Sequence, residues 1–342
     1  MKKLLPVAVL AALSLARCGS SSNESGDGDG GSSTGASSGA HGGSSSGASK
    51  KDAGHSNSSS SGGGSSSGTP SGSSSGSPSD DSGAEADAIV YPACKRGVAS
   101  TIPPGQVFLP TAQNPGVTWW YNWSNEPSPG AANGLEYTPM IWGTGSLMGP
   151  IPQGAKFLMG FNEPNFANQS NMTAAEAASK WPQVEALAQA QGIPIVSPGM
   201  NFCGSASDPS NCADPSVTDP YTYLKEFFAD CPGCEVDYIS VHWYNCDVPS
   251  LQAYIEGNAT LEGFLQFGKP IWVTEFACDN SHSPADQQAY MEAAITYLEN
   301  NDNVYRYSWF SATNIPNAML TNSDGSLTDL GVAYVSAPQN CL

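Results

Sequence analysis

Basic residues are scarce in this sequence of 342 residues. Twelve Lys and Arg stand against 31 Asp and Glu, which gives a formal net charge of −19. From Ile89 onward, seven Lys or Arg stand against 23 Asp or Glu, a net charge of −16 for that part. A surface this anionic should repel nucleic acid and anionic lipid. We therefore expect no nucleic-acid partner, whereas a neutral polysaccharide is compatible with the charge.

Histidine is also rare, which argues against a metal centre. The whole sequence has four His, and only His242 and His282 lie beyond residue 88. Cys231-Pro-Gly-Cys234 is the one CxxC pair, and it has neither a second CxxC nor a neighbouring His to complete a zinc site. A structural disulfide is therefore favoured over zinc or redox chemistry, and we expect no metal and no cofactor.

Apolar side chains are almost missing between residue 19 and about residue 86, which consist mainly of Ser and Gly, while all eight Trp lie beyond residue 118. Such a composition cannot bury enough apolar surface to offset the entropy lost on ordering, so it predicts disorder. We expect a linker over residues 18–88 and one folded domain over residues 89–342, which is a suitable size for a single barrel.

The first 17 residues have the pattern of an export signal. Lys2 and Lys3 precede an apolar segment, residues 4–16, that is too short to span a bilayer comfortably. Residues 15–18 (LARC) resemble a bacterial lipoprotein cleavage box, although Arg17 stands where a small residue is usual. We expect a secreted protein or a cell-surface lipoprotein in which Cys18 carries the lipid anchor; simple secretion remains the alternative.

Strand and helix patterns alternate from residue 96 onward. Several strands are continuously apolar, as expected of parallel strands buried on both faces. Predicted strands cover residues 96–100, 118–123, 138–143, 157–161, 194–198, 236–243, 271–276 and 304–310. Predicted helices cover residues 173–191, 221–229, 251–267, 285–301 and 329–335. This alternation predicts an α/β fold, a (β/α)8 TIM barrel whose first βα units have short or missing helices.

Two glutamates end predicted strands of this barrel. Glu163 follows the fourth strand and Glu275 ends the seventh, and the active site of such a fold lies where the strands end. Hydrolysis of a glycosidic bond needs one carboxylic acid to protonate the leaving oxygen and one carboxylate to attack or to activate water. The sequence therefore indicates a glycosidase.

Six motifs carry a resemblance to a known family. They are residues 97–99 (GVA), 119–123 (WWYNW), 160–165 (GFNEPN), 242–244 (HWY), 272–275 (WVTE) and 328–334 (TDLGVAY). In this order they resemble glycoside hydrolase family 128, a family of endo-β-1,3-glucanases within the clan of retaining barrel glycosidases. The resemblance implies β-1,3-glucan as substrate, Glu163 as general acid/base, Glu275 as nucleophile, and a contact of Asn162 with the sugar 2-hydroxyl.

Five further side chains are candidates for the site. We expect Tyr244 to hydrogen-bond the nucleophile and keep it charged. His242 shares a strand face with it, and either lines the site or packs in the core. Aromatic rings can stack on the flat C–H faces of a sugar, and Trp309, at the end of the last strand, is the best candidate. Tyr121 and Asn122 are weaker candidates for substrate contacts.

Eight cysteines remain when Cys18 is set aside, an even number that suits an oxidising compartment. Proximity in the predicted fold indicates four disulfides. The pairs are Cys94 with Cys341, Cys203 with Cys212, Cys231 with Cys234, and Cys246 with Cys278.

Two other functions are compatible with the sequence. One is a related glycosidase that cuts another β-glycan, such as a β-1,4-glucan or a β-1,4-mannan, because the catalytic pair would be the same. The other is a surface-displayed carbohydrate-binding protein without turnover, which would not need both glutamates. In either case we expect a monomer.

Overall fold

The structure is a computed structural model that describes residues 94–310 and 315–341. The predicted signal peptide, linker and lipidated Cys18 lie outside the described residues. Within the described ranges, no helix has the length and apolar character needed to cross a bilayer.

Eight parallel strands form the centre of the fold. They are β1 Arg96–Ala99, β2 Trp119–Tyr121, β3 Glu136–Tyr137, β4 Leu158–Met159, β5 Ile195–Val196, β6 Ile239–Trp243, β7 Ile271–Phe276 and β8 Val304–Phe310. Six of them pair in the order β3-β2-β1-β8-β7-β6, and β4 pairs with β5. Single parallel bridges, Met140 with Met159 and Val196 with Tyr238, join the two sheets. The strands therefore follow one another around a ring, as in the predicted barrel.

Side chains inside the ring form one cluster, and those outside it form another. The inner cluster is Ala99, Trp119, Tyr121, Met140, Phe157, Met159, Val196 and Trp272. Gly97 makes room for the large ring of Trp119, since a Cβ at that position would lie 2.2 Å from the indole. The outer cluster fills the layer between strands and helices. The strands are thus buried on both faces, which explains their continuous apolar runs.

Among the described residues, the α-helices all lie beyond residue 173. They are α1 Ala174–Gln189, α2 Pro220–Asp230, α3 Val248–Glu256, α4 Pro284–Asn300 and α5 Asp329–Ser336. The predicted capping box is present at α1, where the Thr173 side chain accepts from the backbone N–H of Glu176. Between β1 and β4 the connections contain only 3-10 turns, in agreement with the predicted lack of helices there.

Several predicted strands are shorter in the structure, and two predicted elements differ from it most. The helix predicted over residues 251–267 ends at Glu256, because Gly257 and Gly263 adopt φ values of 90° and 74° and bring backbone segments close together. The strand predicted over residues 138–143 lies earlier, at β3. Beyond Pro139 the chain leaves β2 and pairs with β4 instead, through the Ile141 N–H to the Met159 carbonyl.

All four predicted disulfides are present. Cys94–Cys341 joins the segment that precedes β1 to the chain after α5. Cys246–Cys278 joins the segments that follow β6 and β7. One disulfide therefore closes the ends of the described chain, and another holds together the two strands that precede the candidate site.

Candidate active site

Glu163 lies at the carboxyl end of β4 in a left-handed backbone conformation. The preceding Asn162 forms a parallel bridge with Gly199, and the Glu163 N–H donates to the Gly199 carbonyl at 3.0 Å. The φ angle of Glu163 is 40°, which is uncommon for a residue with a side chain. This turn ends the parallel pairing that continues beyond β4 as far as Asn162, and it holds a nearly buried carboxylate at the barrel mouth.

Glu275 lies in β7 and accepts hydrogen bonds on both carboxylate oxygens. Its Oε1 accepts from the Trp123 indole N–H at 2.7 Å and from the Tyr121 hydroxyl at 3.3 Å. Its Oε2 accepts from the Tyr244 hydroxyl. The predicted contact of Tyr244 with the second glutamate is thus present, and strand β2 supplies further donors.

His242 connects the two glutamates. His242 lies in β6 and is paired in register with Glu275 in the neighbouring strand β7. The imidazole is fully buried, and its Nδ1 lies 2.9 Å from Glu163 Oε1 and 3.3 Å from Glu275 Oε2. One carboxylate oxygen of Glu163 lies within 4.8 Å of one carboxylate oxygen of Glu275. Of the two alternatives for His242, the structure therefore has the one in which it lines the site.

The comparison with known families agrees with this pair of carboxylates. The sequence matches the family model described as "Glycosyl hydrolase catalytic core" over residues 98–334, a span that includes Glu163, His242 and Glu275. The chain belongs to the glycosyl hydrolase catalytic core family.

Three relatives of this glycosyl hydrolase illustrate the match. Alkali-sensitive linkage protein 1 of Schizosaccharomyces pombe is 32% identical over 237 residues, which are 65% of this chain and 41% of that protein. The chain thus spans about two fifths of that relative's length. A GH128 subgroup II endo-β-1,3-glucanase from Sorangium cellulosum is 41% identical, with a TM-score of 0.62. The match covers 72% of this chain and 100% of that enzyme's chain. A GH128 subgroup I endo-β-1,3-glucanase from Amycolatopsis mediterranei, in complex with laminaritriose, is 28% identical, with a TM-score of 0.56. The match covers 72% of this chain and 100% of that enzyme's chain.

The electrostatics of the glycosyl hydrolase site centre on His242. Burial alone would lower the pKa of His242, but the carboxylates of Glu275 and Glu163 outweigh it and raise the pKa above its ordinary value. Burial also raises the pKa of Glu275, an effect that His242, Tyr244 and Trp123 oppose. The hydroxyl of Tyr244, whose pKa burial and Glu275 raise well above the usual range, stays protonated and donates. His242 thus lies between the two carboxyl groups, and each of them favours the protonated form of its imidazole.

Two groups of side chains in the described residues have the composition of a metal site. Glu163, His242 and Glu275 are close enough together, but Nδ1 of His242 already contacts Glu163, and the oxygens of Glu275 already accept hydrogen bonds from Tyr121, Trp123 and Tyr244. Cys246, Cys278 and His282 form the second group, and its two cysteines are joined in a disulfide. Neither arrangement favours a metal ion.

The other predicted contacts lie at varying distances from the carboxylates. Asn162 is buried beside Glu163, and its Nδ2 donates to Gln169 Oε1 at 3.2 Å. Tyr121 is fully buried, so that its hydroxyl reaches Glu275 and not open solvent. The side chain of Asn122 bonds to Ser128 and Tyr137 within the loop after β2. Contacts of these three with a sugar remain predictions.

Trp309 is not at the barrel mouth. The ring is fully buried in the outer layer, its indole N–H donates to the Ala318 carbonyl at 2.8 Å, and it packs on Phe276 and Tyr334. No sugar can stack on it in this structure. The residue that sequence reasoning missed is Trp123, which is half-buried and bonds to Glu275. Its place two residues after β2, in a motif rich in Trp, was the available signal.

Proposed function

We propose that this glycosyl hydrolase is a retaining endo-β-1,3-glucanase. The observation that carries the proposal is the approach of one oxygen of Glu163 and one of Glu275 to within 4.8 Å, at the ends of β4 and β7. Retaining glycosidases hold their two carboxyl groups about 5 to 5.5 Å apart, whereas inverting enzymes leave about 6.5 to 9.5 Å for a water molecule. The short separation therefore supports direct attack by one carboxylate.

The β-1,3 linkage is supported by the relatives. The proteins from Sorangium cellulosum and Amycolatopsis mediterranei are described as endo-β-1,3-glucanases, and the second holds laminaritriose. The structural match with this protein extends over the whole length of each of these two chains. An uncharged glucan also suits a chain with a net charge of −19, since it brings no phosphate or carboxylate that the acidic surface would repel.

The geometry supports a reaction in two displacements. Glu275, whose oxygens are held by Tyr244, Trp123 and Tyr121, attacks the anomeric carbon while Glu163 protonates the leaving glycosidic oxygen. Glu163 then takes a proton from water, which attacks the same carbon and releases Glu275. The imidazole of His242, 2.9 Å from Glu163 Oε1 and 3.3 Å from Glu275 Oε2, limits the repulsion between the two acids when it is protonated.

The linkage is tested by giving the purified protein four substrates and measuring hydrolysis of each. The substrates are laminarin, an unbranched β-1,3-glucan, a β-1,4-glucan and a β-1,4-mannan. We expect early oligosaccharides from the β-1,3-glucans alone, and their loss in Glu163→Gln and Glu275→Gln. Cleavage of a β-1,4-glycan instead would contradict the linkage. Tight binding of a glycan without cleavage, unchanged in both variants, would indicate a carbohydrate-binding protein.

The test of retention uses azide as a substitute nucleophile. In Glu163→Ala, azide should attack the glycosyl-enzyme and give a β-glycosyl azide; in Glu275→Ala, it should occupy the space of the lost carboxylate and give the α-anomer. Proton NMR of the products distinguishes the two anomers. The opposite assignment would exchange the roles of the two glutamates, and α-configured products from the unmodified enzyme would contradict retention.

We also propose that the enzyme is exported and that Cys18 carries a lipid. The proposal is supported by the apolar segment over residues 4–16 and by four disulfides, which persist in oxidising compartments. Mass spectrometry of the mature N-terminus in a bacterial host should find a lipid-modified Cys18, and Cys18→Ala should move the enzyme from the membrane fraction to the medium. An unmodified N-terminus at another residue would favour simple secretion.

A further inference from the structure

Trp123 lies in the loop after β2 and donates a hydrogen bond to Glu275 in β7. Its indole Nε1 lies 2.7 Å from Glu275 Oε1, while Tyr244 donates to Oε2 of the same carboxylate. An indole N–H can donate but cannot accept. Trp123 therefore constrains Oε1 to act as an acceptor, and the two donors together hold the plane of the carboxylate from two sides.

The backbone of Trp123 is strained. Its φ angle is 59°, and only two other non-glycine residues of the described chain, Glu163 and Asn171, have positive values. For a bulky residue this conformation is unusual, and it persists only where the surroundings impose it. The loop supplies such a constraint, because Asn122 Oδ1 accepts from the Ser124 N–H at 3.2 Å and from the Tyr137 hydroxyl at 2.6 Å. The turn directs the indole back over the barrel mouth.

The ring of Trp123 is packed by aromatic neighbours that also border the nucleophile. It meets Tyr121 at 5.1 Å and Phe310 at 5.6 Å between ring centroids, both edge to face. Phe310 in turn meets Tyr244 at 5.3 Å. Phe310 thus contacts both of the rings whose polar atoms bond to opposite oxygens of Glu275, which restricts the movement of each.

The charge of Glu275 is otherwise poorly compensated. Over residues 94–310 and 315–341, no Lys or Arg forms an ion pair with it, and the one basic side chain beside it is His242, which it shares with Glu163. Burial opposes the ionised carboxylate. Neutral donors therefore supply most of the directed hydrogen bonds that keep this group ionised, and each of them matters more than it would beside an arginine.

We propose that Trp123 is a positioning residue for Glu275, acting through its indole N–H and held by Phe310. The inference rests on the proposed function for its kinetic consequence, but the hydrogen bond itself does not. The competing interpretation is that the half-buried ring serves only as a surface on which a sugar stacks. A stacking surface needs the ring, whereas a positioning residue needs the N–H, and Trp123→Phe separates them.

The kinetic test compares Trp123→Phe with Trp120→Phe on β-1,3-glucan. Trp120 lies on the same part of the chain and its buried indole N–H has no hydrogen-bond partner, so the control makes the same chemical change without losing a bond to a carboxylate. We expect Trp123→Phe to lower kcat by about 10- to 150-fold, the range for a hydrogen bond to a charged group. The acidic limb of its pH profile should move to higher pH. A higher KM with unchanged kcat and unchanged pH limb would overturn the proposal.

A second measurement needs no substrate. In protein labelled with ¹⁵N-tryptophan, the indole signal that disappears in Trp123→Phe should shift with pH as Glu275 titrates, and this titration should vanish in Glu275→Gln. A Trp123 signal that is insensitive to both pH and Glu275→Gln would refute the hydrogen bond. If the unmodified protein cleaves no glucan, the proposed function fails, and the NMR titration still decides whether Trp123 holds Glu275.

Discussion

The base and the mouth of the barrel both bury charged side chains, but they neutralise them in different ways. At the base, Arg306 is 1% exposed and forms two hydrogen bonds to Glu136, of 2.6 and 3.0 Å. Its guanidinium also lies over the rings of Phe157 and Trp272, at 4.5 and 4.9 Å from their centroids. This is one permanent cation paired with one anion.

At the mouth, two carboxylates share one imidazole. His242 approaches both Glu163 and Glu275, and Glu275 takes its remaining bonds from neutral donors. The imidazole of His242, unlike a guanidinium, changes its charge near neutral pH, and burial raises the pKa of Glu275 towards that range. The base is therefore built to keep its charge state, while the mouth is built so that protons can move.

The largest expected effect is on stability, at the base. Cys94–Cys341 spans 247 residues, and removing so long a cross-link with Cys94→Ser and Cys341→Ser should lower the free energy of unfolding by about 5 kcal/mol. Urea unfolding measures the loss. Removal of Cys231–Cys234, which spans three residues, should cost about 1–2 kcal/mol. A change in kcat of the folded Cys94→Ser/Cys341→Ser variant would contradict the conclusion that the base of the barrel affects stability and not catalysis.

Removal of the guanidinium at the base should also affect stability and leave catalysis intact. Arg306→Met leaves Glu136 without its partner and removes the contacts with the aromatic rings. We expect a loss of about 3 kcal/mol, at the low end for a broken buried pair because Glu136 retains some exposure. Lys225→Met, which breaks the exposed pair with Glu262, should change the urea midpoint far less. If Arg306→Met lowered kcat as much as a substitution at the mouth, such as Tyr244→Phe, the base would not be separate from catalysis.

At the mouth the expected pattern is the reverse. Tyr244→Phe removes a donor to Glu275 Oε2 and should raise the barrier to hydrolysis by about 1.5–3 kcal/mol, the value of a hydrogen bond to a charged group. The drop should appear in kcat, with little change in urea unfolding. Tyr254→Phe, which loses a buried bond to the Met200 carbonyl in the outer layer, is the control and should keep its kcat. Equal kcat values for the two variants would count against a role of Tyr244 in holding the nucleophile.

The smallest effect is a pH dependence of stability that only the mouth should show. The pKa of His242 is raised in the folded state, so its contribution to stability is fully present below the unfolded value of about 6.5 and is lost as the pH rises through the folded pKa. His242→Asn keeps an N–H donor but cannot titrate. The unfolding free energy of the unmodified protein minus that of His242→Asn should therefore decrease from pH 5 to pH 9. The corresponding difference for Arg306→Met should stay constant, because a guanidinium does not titrate there.

Much of the fold follows from local signals in the sequence. The capping box at Thr173, the alternation of apolar strands with helices, and the position of Glu163 and Glu275 at strand ends are each readable over a few residues, because they depend on backbone hydrogen bonding and side-chain period. The bounds of α3 were not readable to the same degree, since the apolar pattern continues past Glu256 while the backbone turns at Gly257.

The direction of side chains in the barrel strands was not readable. A parallel strand covered on both faces has apolar residues at every position, so its period does not tell which face is inside. Trp309, the last residue but one of β8, faces the helices, whereas Phe310, which ends the strand, contacts Trp123 and Tyr244. Irregular register in β7, between Val273 and Phe276, further shifts which residues face inward.

The sequence by itself determined the strands, the helices and the chemical types at the strand ends, because these depend on neighbours along the chain. Only the tertiary structure decided that His242 lies between two carboxylates and that Trp123 bonds to one of them. Trp123 and Glu275 are 152 residues apart, and His242 and Glu163 are 79 apart. Closing the ring of strands is what brings these groups within hydrogen-bond distance, and no local pattern encodes that distance.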